Sequence, residues 1–202
     1  LEPFGIYSSD TKKHLGFSEE ARKKVYNFMA EKKVKPEEIL IGISPGAGHK
    51  IKMWAPEKFA NLIEYFHLKW NAKIFIIGSD HDKEEIEETF HFLSNRAPVI
   101  NTSGLFSLDE LKAFISNLDM FVSADTGPIY IAEAFGVATI DIVGPMDENE
   151  QPPRGLIHKV VVAPRKKSAF YLMNTSIFDE REAKRQRDDI SLDMVIEKAE
   201  EL

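Results

Sequence analysis

The stretch Ile39-Leu40-Ile41-Gly42-Ile43-Ser44, broken at once by Pro45-Gly46-Ala47-Gly48, decides the fold class. A run this short and this apolar, closed by turn formers, describes a strand covered on both faces. Pro56 to Trp70 follows with Phe59, Leu62, Ile63 and Phe66 three or four positions apart, the apolar stripe of a helix. Lys73 to Ile77, ended by Gly78, repeats the buried strand, and the acidic stretch Asp82 to Leu93 reads as the next helix. Strand, helix, strand in succession implies a right-handed crossover and parallel pairing.

The alternation continues toward the C-terminus. Pro98 to Asn101 is a short third strand, and Ser107-Leu108-Asp109-Glu110 is a capping box. It opens a helix whose apolar stripe is Leu108, Leu111, Phe114, Ile115 and Leu118. Asp119 to Ala124 is a fourth strand, Pro128 to Phe135 a helix, Ala138 to Val143 a fifth strand and Lys159 to Ala163 a sixth. Toward the N-terminus a helix starts at Ser18, with Glu19 and Glu20 where the helix dipole favours them, and runs to about Lys33. The pattern predicts an α/β fold, a three-layer doubly wound parallel sheet of strand order 3-2-1-4-5-6. Beyond Ala163 the reading weakens. Asp179 to Asp189, dense in both charge signs, reads as a solvated helix face or mobile loop. Ser191 to Leu202 reads as a last helix packing through Met194, Val195, Ile196 and Ala199.

Residues 1–17 lack periodicity and read as a lead-in or linker, leaving 18–202 as one Rossmann-like domain. The chain starts at Leu1 with neither an initiator methionine nor a signal-peptide layout, the start of a trimmed chain or of an excised domain. With 202 residues, 43% of them hydrophobic, the chain can bury a sizeable core. A net charge of -7 argues against nucleic acid as a partner. The absence of cysteine excludes disulfides and thiol chemistry. No apolar run approaches the ~20 residues of a transmembrane segment.

Ligands of open doubly wound sheets bind at the carboxyl ends of the strands, where the strand order reverses. Here that crevice lies between strands one and four. Two unusual segments flank it: Ser44 to Lys52, and Asp125-Thr126-Gly127-Pro128. In the second, Pro128 suits the first turn of a helix, Gly127 admits a ligand close to the backbone, and free amides with the helix dipole suit phosphate oxygens. Thr126 adds a hydroxyl, and Asp125 an acceptor for sugar hydroxyls. An ordinary capped helix explains the same residues. In the first segment His49, Lys50 and Lys52 gather positive charge suited to a diphosphate, or are simply solvated. Neither G-x-G-x-x-G nor a closing G-K-[ST] is present. Asp80, after strand two, suits ribose hydroxyls or caps the next helix, with Asp82 as a substitute. The six histidines lack paired metal-ligand spacing, so no metal is expected.

These motifs, in this order, resemble family 9 glycosyltransferases, the heptosyltransferases of lipopolysaccharide core assembly. Residues Pro45 to Phe59 are similar to P-G-A-S-x-x-x-K-x-W-x-x-E-x-F, and Gly104 to Leu111 to T-G-x-x-S-L-x-E-L. Ser123 to Gly136 is similar to N-D-T-G-P-M-H-L-A-A-A-L-G, and Gly144 to Asp147 to G-P-T-D. The likeness spans roughly residues 39 to 155. It implies the C-terminal, donor-binding half of a GT-B fold, and metal-independent inverting transfer of a heptose from ADP-heptose to a lipopolysaccharide core acceptor. By resemblance Lys52 neutralises the diphosphate, Thr126 and Gly127 bind it through amides, and Asp125 holds the transferred sugar. Asp80 takes the ribose and Phe106 walls the adenine. The catalytic base is expected from an N-terminal half, no cofactor is implied beyond the ADP-sugar substrate, and the implied location is cytoplasmic, with a peripheral position at the inner membrane face open to the full-length protein. Gly48 stands where the family has serine, Tyr130 where it often has histidine and Met146 where it has threonine; these departures bear on the donor rather than the fold. A GT-B enzyme using another nucleotide sugar, such as a UDP-sugar, and a non-catalytic nucleotide-binding module are the rival readings.

Overall fold

The computed structural model describes residues 13–94, 97–150, 153–169 and 179–202. Residues 1–12 of the expected lead-in lie outside them. Six parallel strands form one sheet in the order β3-β2-β1-β4-β5-β6, the predicted doubly wound order. The strands are β1 Leu40–Ser44, β2 Lys73–Ile76, β3 Val99–Asn101, β4 Met120–Ser123, β5 Ala138–Ile142 and β6 His158–Val161. The helices are α1 Glu19–Glu31, α2 Pro56–Trp70, α3 Lys83–Phe92, α4 Leu108–Ile115, α5 Gly127–Ala134, α6 Glu180–Asp188 and α7 Leu192–Glu200.

Alternation along each strand sends side chains into two separate cores. Ile41, Ile43, Ile74, Ile76, Val122, Ile140 and Ile142 pack with Trp54, Phe59, Leu62, Ile63 and Phe66 beneath α2, and with Ile190, Val195 and Ala199 around α7. Phe75, Ile77, Phe121 and Val137 pack on the opposite face with Val25 of α1, Phe114 of α4 and Ile129 and Ala132 of α5. Each large side chain removed from water contributes about 1.5–3 kcal/mol. Gly42 belongs to this packing: a Cβ there would stand 2.6 Å from Leu118 Cδ1 and 2.9 Å from Ile77 Cδ1, so a larger residue would push the α4 layer off the sheet.

The helix starts follow local chemistry. The Ser18 hydroxyl accepts the Ala21 N–H at 3.1 Å, and Ser107 with Glu110 forms the anticipated capping box. Ser191 caps α7 through the Met194 N–H. The charged stretch after Asp179 corrects its expectation in part. It forms α6, solvated on its outer face, but Ala183 and Gln186 are buried. The Gln186 amide reaches the Lys167 carbonyl at 2.8 Å, which no periodicity argument anticipates for so polar a helix. Among the described residues no helix is long and apolar enough to cross a membrane.

Candidate functional site

The pairing of β1 with β4, Ile41↔Met120 through Ser44↔Ser123, opens the crevice at the carboxyl ends of these strands. After Ser44 the chain passes Gly46, whose missing Cβ leaves room for the Asp82 carboxylate; a Cβ would lie 2.1 Å from Asp82 Oδ1. At Gly48 a Cβ would meet nothing within 4 Å, so the backbone there is open to a ligand. A 3-10 turn, Lys50–Lys52, then divides the loop's positive charge. Lys50 pairs with Glu84 at 2.7 Å on the acidic first turn of α3, away from the crevice. Lys52 reaches across to β4, its Nζ 2.6 Å from Asp125 Oδ2, with the two side chains only 13% and 15% exposed. Of the three residues expected to gather charge, Lys52 faces the crevice, Lys50 is drawn to the start of α3, and His49 Nδ1 accepts the Ile51 N–H at 3.2 Å at the start of the turn.

Asp125 sits in the left-handed region, φ +42°, a conformation that few non-glycine residues adopt. Its N–H is held by Asp141 Oδ1 at 3.0 Å. Thr126 follows as N-cap of α5 in extended conformation, and its side chain makes no capping bond. The Thr126 hydroxyl is buried without a hydrogen-bond partner, as is that of Ser123. Gly127 heads the helix, so its N–H has no intrahelical acceptor, and its Cβ position is empty for at least 4 Å. Capping alone leaves a buried hydroxyl unpaired, which costs about 1–3 kcal/mol. A ligand oxygen at the helix start removes that cost and gains the dipole.

On the other side of the crevice the two readings of the acidic residues separate. Asp82 Oδ2 takes the Ser79 N–H at 2.7 Å and the Ser79 O–H at 2.8 Å, so its carboxylate completes a capping box with Ser79 at the start of the Asp80–Asp82 turn. Asp80 is exposed and lies against Gly104, where a Cβ would come within 2.9 Å of its carboxylate. No hydrogen bond or ion pair engages it among the described residues. Phe106 stacks on Phe114 at 4.9 Å between ring centres and meets Phe28 edge-on at 5.2 Å, which commits its ring to the α1–α4 core. The structure thus brings together Lys52, Asp125, Thr126 and Gly127, leaves Gly48 open on the loop, and sets Asp80 and Phe106 at the β2–β3 side.

Two features escape the motif reading. Asp141, 1% exposed, interrupts the apolar strand β5. Burial pushes its carboxyl up to about 7, the neighbouring Asp125 adds to this, and the Asp125 N–H and Lys52 oppose it. A lone charge in a run of buried residues is the signal that marks it. Arg165 is the second. Its Nη1 donates to the Gly144 carbonyl at 2.6 Å and to Gln186 Oε1 at 3.0 Å, and its Nη2 donates to Met146 O and pairs with Glu148. It ties the Gly144-Pro145-Met146 loop to α6, across a separation that sequence does not reveal. Among the described residues no group of three or more His, Asp or Glu side chains is arranged to hold a metal ion.

Comparison with known proteins gives this geometry a context. A family model described as glycosyltransferase family 9 (heptosyltransferase) matches residues 1–177. Lipopolysaccharide heptosyltransferase 3 of Escherichia coli K12 is 24% identical over 147 residues, covering 73% of this chain and 42% of that protein. Among solved structures, the family 9 glycosyltransferase of Veillonella parvula aligns with TM-score 0.82 and 23% identity over 98% of this chain and 56% of that one. The E. coli ADP-heptose heptosyltransferase II aligns with TM-score 0.73 and 21% identity over 93% and 52%. These likenesses carry the fold; the chain spans about half the length of the relatives it matches.

Proposed function

The chain belongs to glycosyltransferase family 9, and from that premise we propose that it is the donor-binding half of a two-domain enzyme that transfers a heptose from ADP-heptose to the lipopolysaccharide core. The observation that carries the reading is the meeting, at the β1–β4 switch point, of the Lys52–Asp125 pair with the uncapped start of α5 and its unpaired Thr126 hydroxyl.

In this reading the diphosphate lies on the Thr126 and Gly127 amides, and Lys52 turns from Asp125 toward it. Asp125, released, accepts hydrogen bonds from the transferred sugar. As the glycosidic bond breaks, negative charge builds on the leaving ADP, and a fixed ammonium with preorganised amides stabilises it without a metal ion. The acceptor hydroxyl attacks from the opposite face, which inverts the anomeric centre and requires a base there. That base and much of the acceptor site are assigned to an N-terminal half, with residues 1–17 as its linker. Asp80, exposed at the β2 end, suits the ribose. Phe106 reaches the adenine only through the edge its core packing leaves open. The acceptor would bring the full-length protein to the cytoplasmic face of the inner membrane.

The test is calorimetric titration of the chain with ADP and with UDP, followed by ADP-heptose transfer by the protein carrying both halves. Saturable ADP binding with little UDP binding, and transfer by the two-domain protein, is expected. UDP preference moves the donor to another nucleotide sugar. Binding without transfer or donor hydrolysis by the two-domain protein makes the chain a nucleotide-binding module.

A further inference from the structure

Beneath α5 the sheet carries a row of buried polar side chains that donor binding as described leaves unused. In register Ser123 pairs with Asp141 and Thr139 with His158. Thr139 and Asp141 are two apart on β5, so both point away from Ile140 and Ile142 and onto the α5 face. Ser123, Thr139 and Asp141 are all at most 1% exposed. The Thr139 hydroxyl meets His158 Nδ1 at 2.9 Å, whereas among the described residues the Asp141 carboxylate accepts one hydrogen bond, from the Asp125 N–H. An ionised carboxylate so placed is poorly solvated. It also competes with Asp125 for the ammonium of Lys52. With both carboxylates charged the site is net negative before any diphosphate arrives; a proton on Asp141 makes it neutral.

The other groups facing this row are accounted for. From α5, burial holds the Tyr130 phenol well above its usual range, so it keeps its proton. Glu133 is engaged by Lys13 and by the Arg154 N–H at 3.0 Å. From β6, burial holds His158 below its ordinary value, so it stays neutral at and above neutrality. Asp141, with a carboxyl pushed up to about 7, is the group in this row set to gain or lose a proton near neutral pH.

We propose that Asp141 is the positioning residue of the donor turn, and that the nucleotide diphosphate enters together with one proton taken from solvent onto the Asp141 carboxylate. Oδ1 continues to accept the Asp125 N–H and so keeps Asp125 in its left-handed conformation, which aims the Thr126 and Gly127 amides. The proton goes to Oδ2. The proposal rests on the nucleotide-site reading above.

The experiment is ADP titration of this chain by calorimetry from pH 6 to 8.5, in buffers of low and high ionisation enthalpy, for wild type, D141N and D141A. Wild type should take up close to one proton per ADP at pH 7.5–8, beyond the proton exchange of ADP itself. Its affinity should fall about tenfold more across the range than that of D141N, whose amide keeps the acceptor without the charge. D141A, which loses the acceptor, should bind weakly at every pH. Wild-type binding without that proton uptake overturns the proposal whether or not the variants fold, and leaves the nucleotide site standing. Equal pH profiles for wild type and a folded D141N also overturn it. Failure of wild type to bind ADP at any pH overturns the nucleotide site and the proposal together.

Discussion

Lys52→Ala tests the site most directly. Lys52 Nζ lies 2.6 Å from Asp125 Oδ2 in a pair whose members are only 13% and 15% exposed, so screening by solvent is limited. A unit charge about 4 Å from a phosphate charge is attracted by about 4 kcal/mol at the effective dielectric of such a site. That gross figure is not the binding contribution, because in the free protein the ammonium already has a carboxylate partner. Binding exchanges one charged oxygen for others, and the net term is that of a charge-assisted hydrogen bond, about 1.5–3 kcal/mol. Lys52→Ala should therefore weaken ADP about 10- to 150-fold. Asp125→Asn makes the opposite change: it frees Lys52 and removes a negative charge, while its N–H still reaches Asp141. It should bind ADP at least as well as wild type but lose affinity for an ADP-sugar. Calorimetry at low and high salt measures both, with melting curves to confirm folding. Lys52→Ala binding within twofold of wild type, or Asp125→Asn losing ADP affinity as Lys52→Ala does, would refute the assignment and leave the pair a structural one.

Three further outcomes follow from the packing. Asp141 has a folded-state carboxyl raised from 3.8 to about 7, so the native state binds more protons than the unfolded chain between those values and stability falls as pH rises through them. Asp141→Asn should remove that slope, with a higher melting temperature than wild type at pH 8, a gain of at most about 4 kcal/mol, and no gain near pH 4; parallel melting curves across pH would exclude it. Gly46→Ala drives a methyl group to within 2.1 Å of Asp82 Oδ1 and disturbs the Ser79–Asp82 cap, so urea denaturation should show a loss of about 1–3 kcal/mol. Arg165→Met leaves the Gly144 and Met146 carbonyls and Glu148 without their donor and should cost about 3–5 kcal/mol. A melting temperature unchanged by Arg165→Met would mean that α6 does not brace that loop.

The sequence by itself determined the sheet order and the crevice, because apolar runs bounded by turn residues report burial and the handedness of crossovers leaves few ways to connect them. It also put the segments Ser44 to Lys52 and Asp125 to Pro128 on the two sides of that crevice, since they follow the two strands that the order places at the switch point. Where it read local charge it went astray: Lys50 and Lys52 look alike two residues apart, yet one is drawn to Glu84 and the other to Asp125, through contacts with different elements. The letters put Asp80 ahead of Asp82 for the ribose but left its capping role open, and the fit of Asp82 under Gly46 commits the Asp82 carboxylate to Ser79. Gln186 falls in the stretch read as solvated because its partners Arg165, Lys167 and Ala169 lie 17 to 21 residues back along the chain. Only the tertiary structure singled out Asp141. Its chemistry comes from burial and from the Asp125 N–H sixteen positions away, and both exist only once β4 and β5 are paired.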